Sequence, residues 1–290
     1  MIPWFRSPIR LLAALCLALP AGACSPPVTT VAPGPLAGDA AWSGTVRVAG
    51  DIVVPEDTRL VIAPGTRVLF EPPPPGTDRF RQHPNFPGSE LIVRGTLVAE
   101  GTPGRPILFA AADPDAPAGS WGGVNLAQAT SNSFSHCIFR QADSALHSRN
   151  SEVFIEQCLF ENNLVAIRFH SSAILIENNL LRNNATGIRF HDGAPVICRN
   201  RLVANGKAFF ITAHPREVRI EANDIVDSRE FAVVLGEEVP EDVNMAGNFW
   251  GEGDPGRTIF DRRRSDYLGR VRVEPRRTEP VPSAGISWSP

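Results

Sequence analysis

Arginine and histidine recur at a fixed spacing in the middle of the chain. Arg168 and Arg189 are 21 residues apart, and so are His170 and His191. The candidate ligand-binding set is His147, Arg149, Arg168, His170, Arg189, His191 and, at the next repeat, Phe210. Guanidinium groups bind carboxylates and sulfates through paired hydrogen bonds, and imidazole adds a further donor. If the repeats stack, these side chains form two adjacent columns, which predicts an anion-binding face with Phe210 as a stacking surface for a sugar.

The same face has three other interpretations. It is a solvated strand surface if the basic side chains only cover the sheet. It is a catalytic surface if an arginine or histidine acts on a substrate, although the pattern assigns no catalytic residue. It is a metal site if His170 and His191 share an ion with Asp192. Because Arg168 and Arg189 oppose a bound cation, we predict no metal and no other cofactor.

A repeat of about 21 residues must position these side chains. Its successive units start at Cys137, Cys158, Asn179, Asn200, Asn223 and Asn248. Residues 165–170 and 186–191 alternate apolar and polar side chains, which is typical of half-buried strands. The alternation predicts that Ile167 and Phe169 point inward while Arg168 and His170 point outward. A period of this length accommodates three short strands, and stacked units lie about 4.8 Å apart.

Asparagine and cysteine occupy the remaining regular positions. Asn163, Asn184 and Asn205 recur within the units, and asparagine either accepts the left-handed backbone of a corner or stacks its amide inside the coil. Cys137 and Cys158 share one position in successive units. We expect them to be buried thiols, with a disulfide between them as the alternative.

Residues 158–169 and 179–190 resemble the repeats of the pectate-lyase-like superfamily. Residues 91–102 and 248–251 are similar to segments of a secreted bacterial branch of these proteins. The resemblance implies an all-β fold, a single-stranded right-handed parallel β-helix of about ten coils over residues 40–275. Within it, the proline-rich segment Glu71–Ser89, which contains Phe80 and Phe86, predicts a projecting loop.

The resemblance does not imply catalysis, because the fold carries many functions. The signatures of polygalacturonases, alginate epimerases and pectin methylesterases are absent from the sequence. Calcium-dependent pectate lyases need converging carboxylates, and no outward column supplies them with a basic residue. A second column, Glu156, Glu177, Cys198 and Glu221, predicts a solvated acidic face. We therefore expect a binding or scaffold protein, with a lyase or epimerase as the alternative.

The N-terminus predicts secretion and a lipid anchor. Arg6 and Arg10 precede the apolar residues 11–19, too few for a membrane span, so residues 1–23 are a signal peptide. Residues 21–24 (Ala-Gly-Ala-Cys) resemble a bacterial lipobox, which implies a lipid on Cys24; ordinary cleavage after Ala21 or Ala23 is the alternative. Residues 24–39 are rich in Pro, Ala, Gly and Thr and predict a flexible tether, and residues 276–290 predict a disordered tail.

The charge balance excludes one class of partner. The net charge is −3, and loss of Arg6 and Arg10 with the signal peptide makes it about −5, which gives no general attraction for nucleic acid. The sequence predicts a cell-envelope lipoprotein in the periplasm or at the cell surface, with the outer membrane preferred. Its expected partners are the membrane, through the lipid, and acidic polysaccharide. A purely structural surface protein is the further alternative.

Overall fold

The computed structural model describes residues 28–78, 82 and 84–290. In this part of the chain the strands form three long parallel sheets of nine, ten and eight strands, and one sheet of two strands. Within each long sheet, neighbouring strands are three strands apart in the chain, except for the last pair of the ten-stranded sheet, which is two apart. Each turn of the chain therefore contributes one strand to every sheet, and the predicted parallel β-helix is confirmed.

The strand bounds follow the three sheets. Sheet A contains β1 (Val28–Val31), β4 (Thr45–Ala49), β7 (Arg67–Glu71), β10 (Ile107–Ala111), β13 (Cys137–Arg140), β16 (Leu159–Glu161), β19 (Leu180–Arg182), β22 (Arg201–Val203) and β25 (Asp224–Val226). Sheet B contains β2 (Gly34–Pro35), β5 (Ile52–Val54), β8 (Glu90–Val93), β11 (Trp121–Ala127), β14 (Ala142–Arg149), β17 (Val165–His170), β20 (Thr186–His191), β23 (Lys207–Ala213), β26 (Phe231–Glu238) and β28 (Ile259–Phe260). Sheet C contains β3 (Ala40–Trp42), β6 (Arg59–Ile62), β9 (Thr96–Glu100), β12 (Asn132–Ser135), β15 (Glu152–Glu156), β18 (Ala173–Glu177), β21 (Val196–Cys198) and β24 (Arg219–Glu221). The two-stranded sheet pairs β27 (Val243–Asn244) with β29 (Val271–Arg272), and a 3₁₀ helix spans Pro255–Thr258.

Inward-pointing apolar residues stack along the axis and form the core. The rings of Phe139 and Phe160 are parallel, with centroids 4.7 Å apart, and those of Phe169 and Phe190 are 4.9 Å apart. Ile167 and Ile188 are fully buried between the coils. The predicted inward set is confirmed, because strand alternation sends every second side chain to the interior.

Two buried asparagine ladders run along the interior. In the first, the Asn163 amide donates to Asn184 Oδ1 at 2.9 Å, and the Asn184 amide donates to Asn205 Oδ1 at the same distance. A second ladder joins Asn179, Asn200, Asn223 and Asn248 at 3.0 Å per step. Each link satisfies two polar groups that would be costly to bury unpaired.

The residues just before the ladder asparagines make the corners. Asn162 and Asn183 have φ of 57°, and Arg199 and Ala204 have φ of 54° and 53°. Gly247 takes the same position before Asn248 with φ of 76°. The two roles open to asparagine are therefore divided between neighbours: one residue turns the chain in the left-handed conformation, and the next points its amide inward.

The predicted tether is wrong from Val28 onward. β1 pairs in parallel with β4 through Val28↔Thr45 to Val31↔Val48, and β2 pairs with β5. The β-branched residues of β1 extend the open edge of sheet A, so backbone hydrogen bonds replace the expected flexibility. The signal peptide, Cys24 and the start of the tether lie outside the described residues.

The predicted disordered tail is also wrong. The Arg277 amide donates to the Asn248 carbonyl at 3.0 Å, and the Val281 amide donates to Asp224 Oδ1 at 2.8 Å. Farther on, Trp288 is 9% exposed and packs on Ile138 and Leu159, side chains on the outer face of sheet A. A buried indole supplies apolar contact that the composition of the segment does not predict.

The cysteines among the described residues are free thiols. Cys137 and Cys158 are buried, and Cys198 is partly exposed. Burial raises the pKa of Cys137 well above its ordinary value, and its Sγ lies 3.2 Å from the Ala99 carbonyl. Among the described residues, no helix has the length and apolarity needed to cross a membrane.

Candidate anion-binding site

The two predicted basic columns lie side by side on the outer face of sheet B. The register pairs His147 with Arg168 and Arg168 with Arg189, and the next position pairs Arg189 with Phe210. The adjacent column pairs Arg149 with His170 and His170 with His191. A spacing of 21 residues along the chain thus becomes one strand spacing in space.

The basic side chains surround one cleft of about 300 Å³. The residues that line it are His147, Arg149, Arg168, Phe169, His170, Arg189, Phe190, His191 and Thr212. Every predicted basic residue contributes to this lining. A continuous, concave surface is therefore present where the sequence predicted a flat strand face.

The second column ends differently from the prediction. A spacing of 21 residues would pair His191 with Thr212, but His191 pairs with Ala213 because the register slips between Phe190 and His191. The Thr212 hydroxyl instead donates to the Phe190 carbonyl at 3.0 Å. An irregularity of this kind redirects side chains at the end of a strand ladder, and here it closes the column at His191.

The segment between β7 and β8, called the wall below, packs on sheet B beside the cleft. Phe86 is 5% exposed and meets the His147 ring edge-on, with centroids 5.2 Å apart. The Asn125 amide donates to the Pro84 carbonyl at 2.9 Å, which attaches the segment to sheet B. Pro84 and Phe86 thus pack on the sheet, so the predicted projection is wrong at these two residues, and His147 is buried beneath them. Residues 74–77 of the same segment are exposed. Phe80 lies outside the described residues.

Aromatic rings contact both arginines of the first column. Arg168 Cζ lies 5.3 Å from the centroid of Phe86, and Arg189 Cζ lies 5.0 Å from the centroid of Phe210. Contacts of this type hold a guanidinium group in place without using its hydrogen-bond donors. Phe210 therefore positions Arg189, and it is not among the residues that line the cleft. In the sequence, the only indication of this contact is that Phe86 is an aromatic residue within a proline-rich insertion.

The charge of the cleft arginines is only partly offset by their surroundings, since Asp143 attracts Arg168 electrostatically without forming an ion pair. Burial, followed by repulsion from Arg189, lowers the pKa of Arg168 to about 10, and burial lowers the pKa of Arg149 and Arg189. All three stay protonated at neutral pH, because a guanidinium group does not lose its proton in proteins. Among the described residues, no carboxylate forms an ion pair with any of them, whereas arginines elsewhere, such as Arg140 and Arg182, pair with Glu161.

Two buried carboxyl groups lie beneath the wall. Glu90 is fully buried, and its amide donates to Asp51 Oδ1 at 3.1 Å. The neighbouring Asn125 side chain and Phe86 backbone do not reach good hydrogen-bond geometry with the Glu90 carboxyl oxygens. Burial, with repulsion from Asp51, raises the pKa of Glu90 to about 9, and burial raises that of Asp51 to about 6. Glu90 is therefore neutral at pH 7 and does not cancel the charge of the cleft.

Space for the Glu90 side chain depends on one glycine. A Cβ on Gly122 would lie 2.3 Å from Glu90 Cγ. Only a residue without a side chain fits beside the buried carboxyl group. The neighbouring strand β14 carries a third carboxyl group, the partly buried Asp143, which also repels the charged form of Glu90. No periodic pattern marks Asp51, Glu90 and Gly122, so the sequence did not reveal this group.

Three potential metal ligands meet at the end of the second column. Ligand atoms of His170, His191 and Asp192 all lie within 4.8 Å of one another. The two imidazole rings are 4.8 Å apart between centroids and inclined by 74°. Burial and then the neighbouring His191 lower the pKa of His170. This arrangement brings together the set that the sequence had considered and set aside.

The predicted acidic column keeps its register on sheet C. Glu156 pairs with Glu177, Glu177 with Cys198, and Cys198 with Glu221. Ion pairs of Glu177 with Arg199 and of Glu221 with Arg219 relieve the stacked charge. This face is a balanced surface, and it does not gather carboxylates around a ligand position.

Comparison with known proteins gives one match, to part of the chain. A family model for the right handed beta helix region matches residues 118–248, a segment that contains every basic residue of the cleft. Neither the curated proteins nor the solved structures gave a significant match to the chain. The matched segment and the three long parallel sheets agree on the architecture. The chain is a right-handed parallel β-helix protein.

Proposed function

We propose that the cleft on sheet B binds an acidic polysaccharide. The observation that carries this proposal is the presence of three partly buried arginines, Arg149, Arg168 and Arg189, without an ion-paired carboxylate among the described residues. Partly dehydrated cations without a partner gain more from an incoming anion than solvated cations do. A carboxylate of a sugar acid supplies the matching charge and two acceptor oxygens.

The column geometry favours a polymer over a single small anion. Arg168 and Arg189 are one coil apart, and the core rings of the same two strands are separated by 4.9 Å. A polyanion can engage successive coils with successive charges, so that the second contact costs less binding entropy than the first. The lining also includes the Thr212 hydroxyl and the imidazoles of His170 and His191, which offer hydrogen-bonding groups to the hydroxyls of a sugar.

The proposed setting is the cell envelope. The lipobox-like residues 21–24 and the preceding apolar segment support a lipoprotein held by Cys24 in the periplasm or at the cell surface, preferably at the outer membrane. In this arrangement the β-helix is a binding or scaffold surface near the membrane.

The experiment measures binding of the purified chain without its signal peptide to polygalacturonate and alginate, with neutral dextran as the reference glycan. The double variant Arg168→Ala/Arg189→Ala removes two charge-assisted contacts. We expect its affinity for the acidic glycans to fall about tenfold or more, since each such contact contributes roughly 1.5–3 kcal/mol when desolvated. Affinity of the unaltered protein should also fall as salt rises, because exposed charge is screened.

A matched control removes the same charge from another face. Arg67 and Arg201 are exposed on sheet A, and Arg67→Ala/Arg201→Ala should leave affinity unchanged. Equal binding by the cleft variant and this control would overturn the assignment of the cleft. Absence of binding to every acidic glycan at low salt would leave the structural surface protein as the function.

A polysaccharide lyase or epimerase is the second candidate. The observation that favours it is the position of His170 and His191 next to the arginine column in the same cleft. Elimination from a sugar acid needs a base near the carbon beside the carboxylate and a cation that stabilises the developing charge. Release of unsaturated product from polygalacturonate or alginate, measured by ultraviolet absorbance and lost in His170→Ala/His191→Ala, would replace simple binding with catalysis.

A further inference from the structure

The end of the second basic column is shaped by two consecutive coils. His170 and His191 are the last residues of β17 and β20 and are paired in register. Asp192 follows directly, in the left-handed conformation with φ of 59°, and its amide donates to the Ala213 carbonyl at 3.1 Å. The equivalent corner one coil earlier is Ser171, with φ of 47°. Of these two corners, the one that carries a carboxylate directly follows His191, the second histidine of the pair.

The three side chains have no competing role in the described structure. Apart from the contact between the two rings, no described group forms a side-chain hydrogen bond or an ion pair with His170, His191 or Asp192. Two imidazoles and one carboxylate are the protein ligands of many zinc sites that keep one position open. Their ligand atoms already lie within 4.8 Å of one another, so a metal ion placed between them can reach all three.

The positive charge of the nearby arginines disfavours a cation at this position unless an anion binds with it. Arg149 is paired with His170 on the adjacent strand, and Arg168 and Arg189 line the same cleft. A divalent cation held by one carboxylate and two neutral ligands keeps a net positive charge among these guanidinium groups. An anion at the open position removes this repulsion, since it can contact the metal and an arginine together.

We propose that His170, His191 and Asp192 bind one divalent transition-metal ion, with Zn²⁺ as the reference ion, and that a carboxylate of the acidic glycan completes its coordination. The first half of this inference stands by itself, and the second half rests on the proposed function. Nitrogen donors favour Zn²⁺, Cu²⁺ or Ni²⁺ over Ca²⁺, which takes oxygen ligands. The earlier expectation of no metal treated the arginines as a barrier, whereas with an anionic partner they become part of the site.

The first experiment uses metal alone. Tag-free protein is titrated with Zn²⁺ in a glycan-free buffer by isothermal calorimetry, with Ca²⁺ as the reference ion. We expect one Zn²⁺ per chain, no displacement by Ca²⁺, and at least a tenfold loss of affinity in His191→Ala and in Asp192→Asn. His214→Ala is the matched control, because His214 is an exposed histidine one coil farther that pairs with Glu241; it should bind Zn²⁺ normally. Circular-dichroism melts check that each variant is folded.

The second experiment tests the anionic partner. Affinity for oligogalacturonate is measured with and without saturating Zn²⁺, and affinity for Zn²⁺ with and without the oligosaccharide. We expect both affinities to rise by the same factor, because coupling between two sites is reciprocal. The Arg168→Ala/Arg189→Ala variant should retain Zn²⁺ binding in the absence of glycan.

The outcomes separate this inference from the proposed function. If folded His170→Ala/His191→Ala binds Zn²⁺ like the unaltered protein, or if the unaltered protein binds none, the metal site is overturned even when the glycan binds. If Zn²⁺ binds in one equivalent but the glycan affinity does not respond, the coordination of the carboxylate is overturned. If Zn²⁺ binds and no acidic glycan does, the metal site stands and the proposed function fails.

Discussion

At the residue scale, the most unusual group is the carboxyl of Glu90. It is buried among Asp51, Asn125 and the Phe86 backbone, and its pKa is raised to about 9. A group with a pKa higher in the folded chain than in the unfolded chain stabilises the fold fully below its unfolded pKa of 4.5. This stabilisation is lost as the pH rises toward the folded pKa, so the relevant window lies between pH 4.5 and about pH 9.

We predict that Glu90→Gln flattens the pH dependence of stability. Glutamine has the shape of the neutral acid but cannot ionise, so the variant should lose the slope of roughly 1.4 kcal/mol per pH unit that one such group contributes within its window. Asp51, whose pKa is raised to about 6, retains its smaller contribution at acidic pH. Urea unfolding at pH 5, 7 and 8 measures the effect, which should be stabilising at pH 8.

The exposed Glu152 on sheet C provides the comparison. Glu152→Gln should follow the curve of the unaltered protein at every pH. Parallel curves for Glu90→Gln and the unaltered protein would show that Glu90 does not hold its proton in the folded state.

At the element scale, the C-terminal segment of residues 276–290, called the strap below, returns along sheet A and contacts several coils. The Val281 amide bonds to Asp224, and the Trp288 indole Nε1 donates to the Gln157 carbonyl at 2.8 Å. Residues 224 and 157 belong to different coils, so one segment contacts several turns of the solenoid. In repeat proteins, stability is close to a sum over neighbouring units, and a contact that bridges distant units adds cooperativity.

We predict that Trp288→Ala destabilises the protein by about 2–4 kcal/mol, because it removes a large, nearly buried side chain from the surface of Ile138 and Leu159. Chemical denaturation monitored by circular dichroism measures the change. Trp288→Phe keeps most of the apolar contact but loses the hydrogen bond to Gln157, so its effect should be smaller. An unfolding curve of Trp288→Ala that coincides with that of the unaltered protein would contradict the strap.

At the scale of the whole molecule, the outer faces of the long sheets differ in their chemistry. Sheet B carries unpaired arginines, whereas sheet C carries glutamates paired with arginines. The proposed ligand-binding cleft and the charge-balanced acidic face thus lie on different sheets. The arrangement fits a protein that is held at a membrane and presents one face to a polymer.

We predict that Cys24→Ala releases the protein from the membrane fraction. The lipid proposed on Cys24 would be the anchor, and no described helix is able to span a membrane. Cell fractionation followed by immunoblotting measures the change, with Cys198→Ala as the control that should remain bound. Retention of Cys24→Ala in membranes after a high-salt wash would contradict the lipid anchor.

Much of the fold and of the candidate site is present in the sequence because the architecture is periodic. The alternation in residues 165–170 separates buried Ile167 and Phe169 from outward Arg168 and His170, since strand side chains alternate between faces. Stacking then turns the spacing of 21 residues into contact between neighbouring strands, which places Arg168 on Arg189 and His170 on His191. In a solenoid each repeat contacts its neighbours, so the spacing of residues along the chain predicts which side chains meet in space.

The tertiary structure alone decided the contacts that have no period. The wall with Phe86, the strap with Trp288 and the early strand β1 each join segments whose sequences show no repeat, so composition indicated a loop, a tail and a tether. The protonation of Glu90 depends on how completely the wall and its neighbours exclude water, and electrostatic free energy depends on that surrounding dielectric. The sequence therefore determined the columns of the site, and the nonlocal packing determined its depth, its charge and its enclosure.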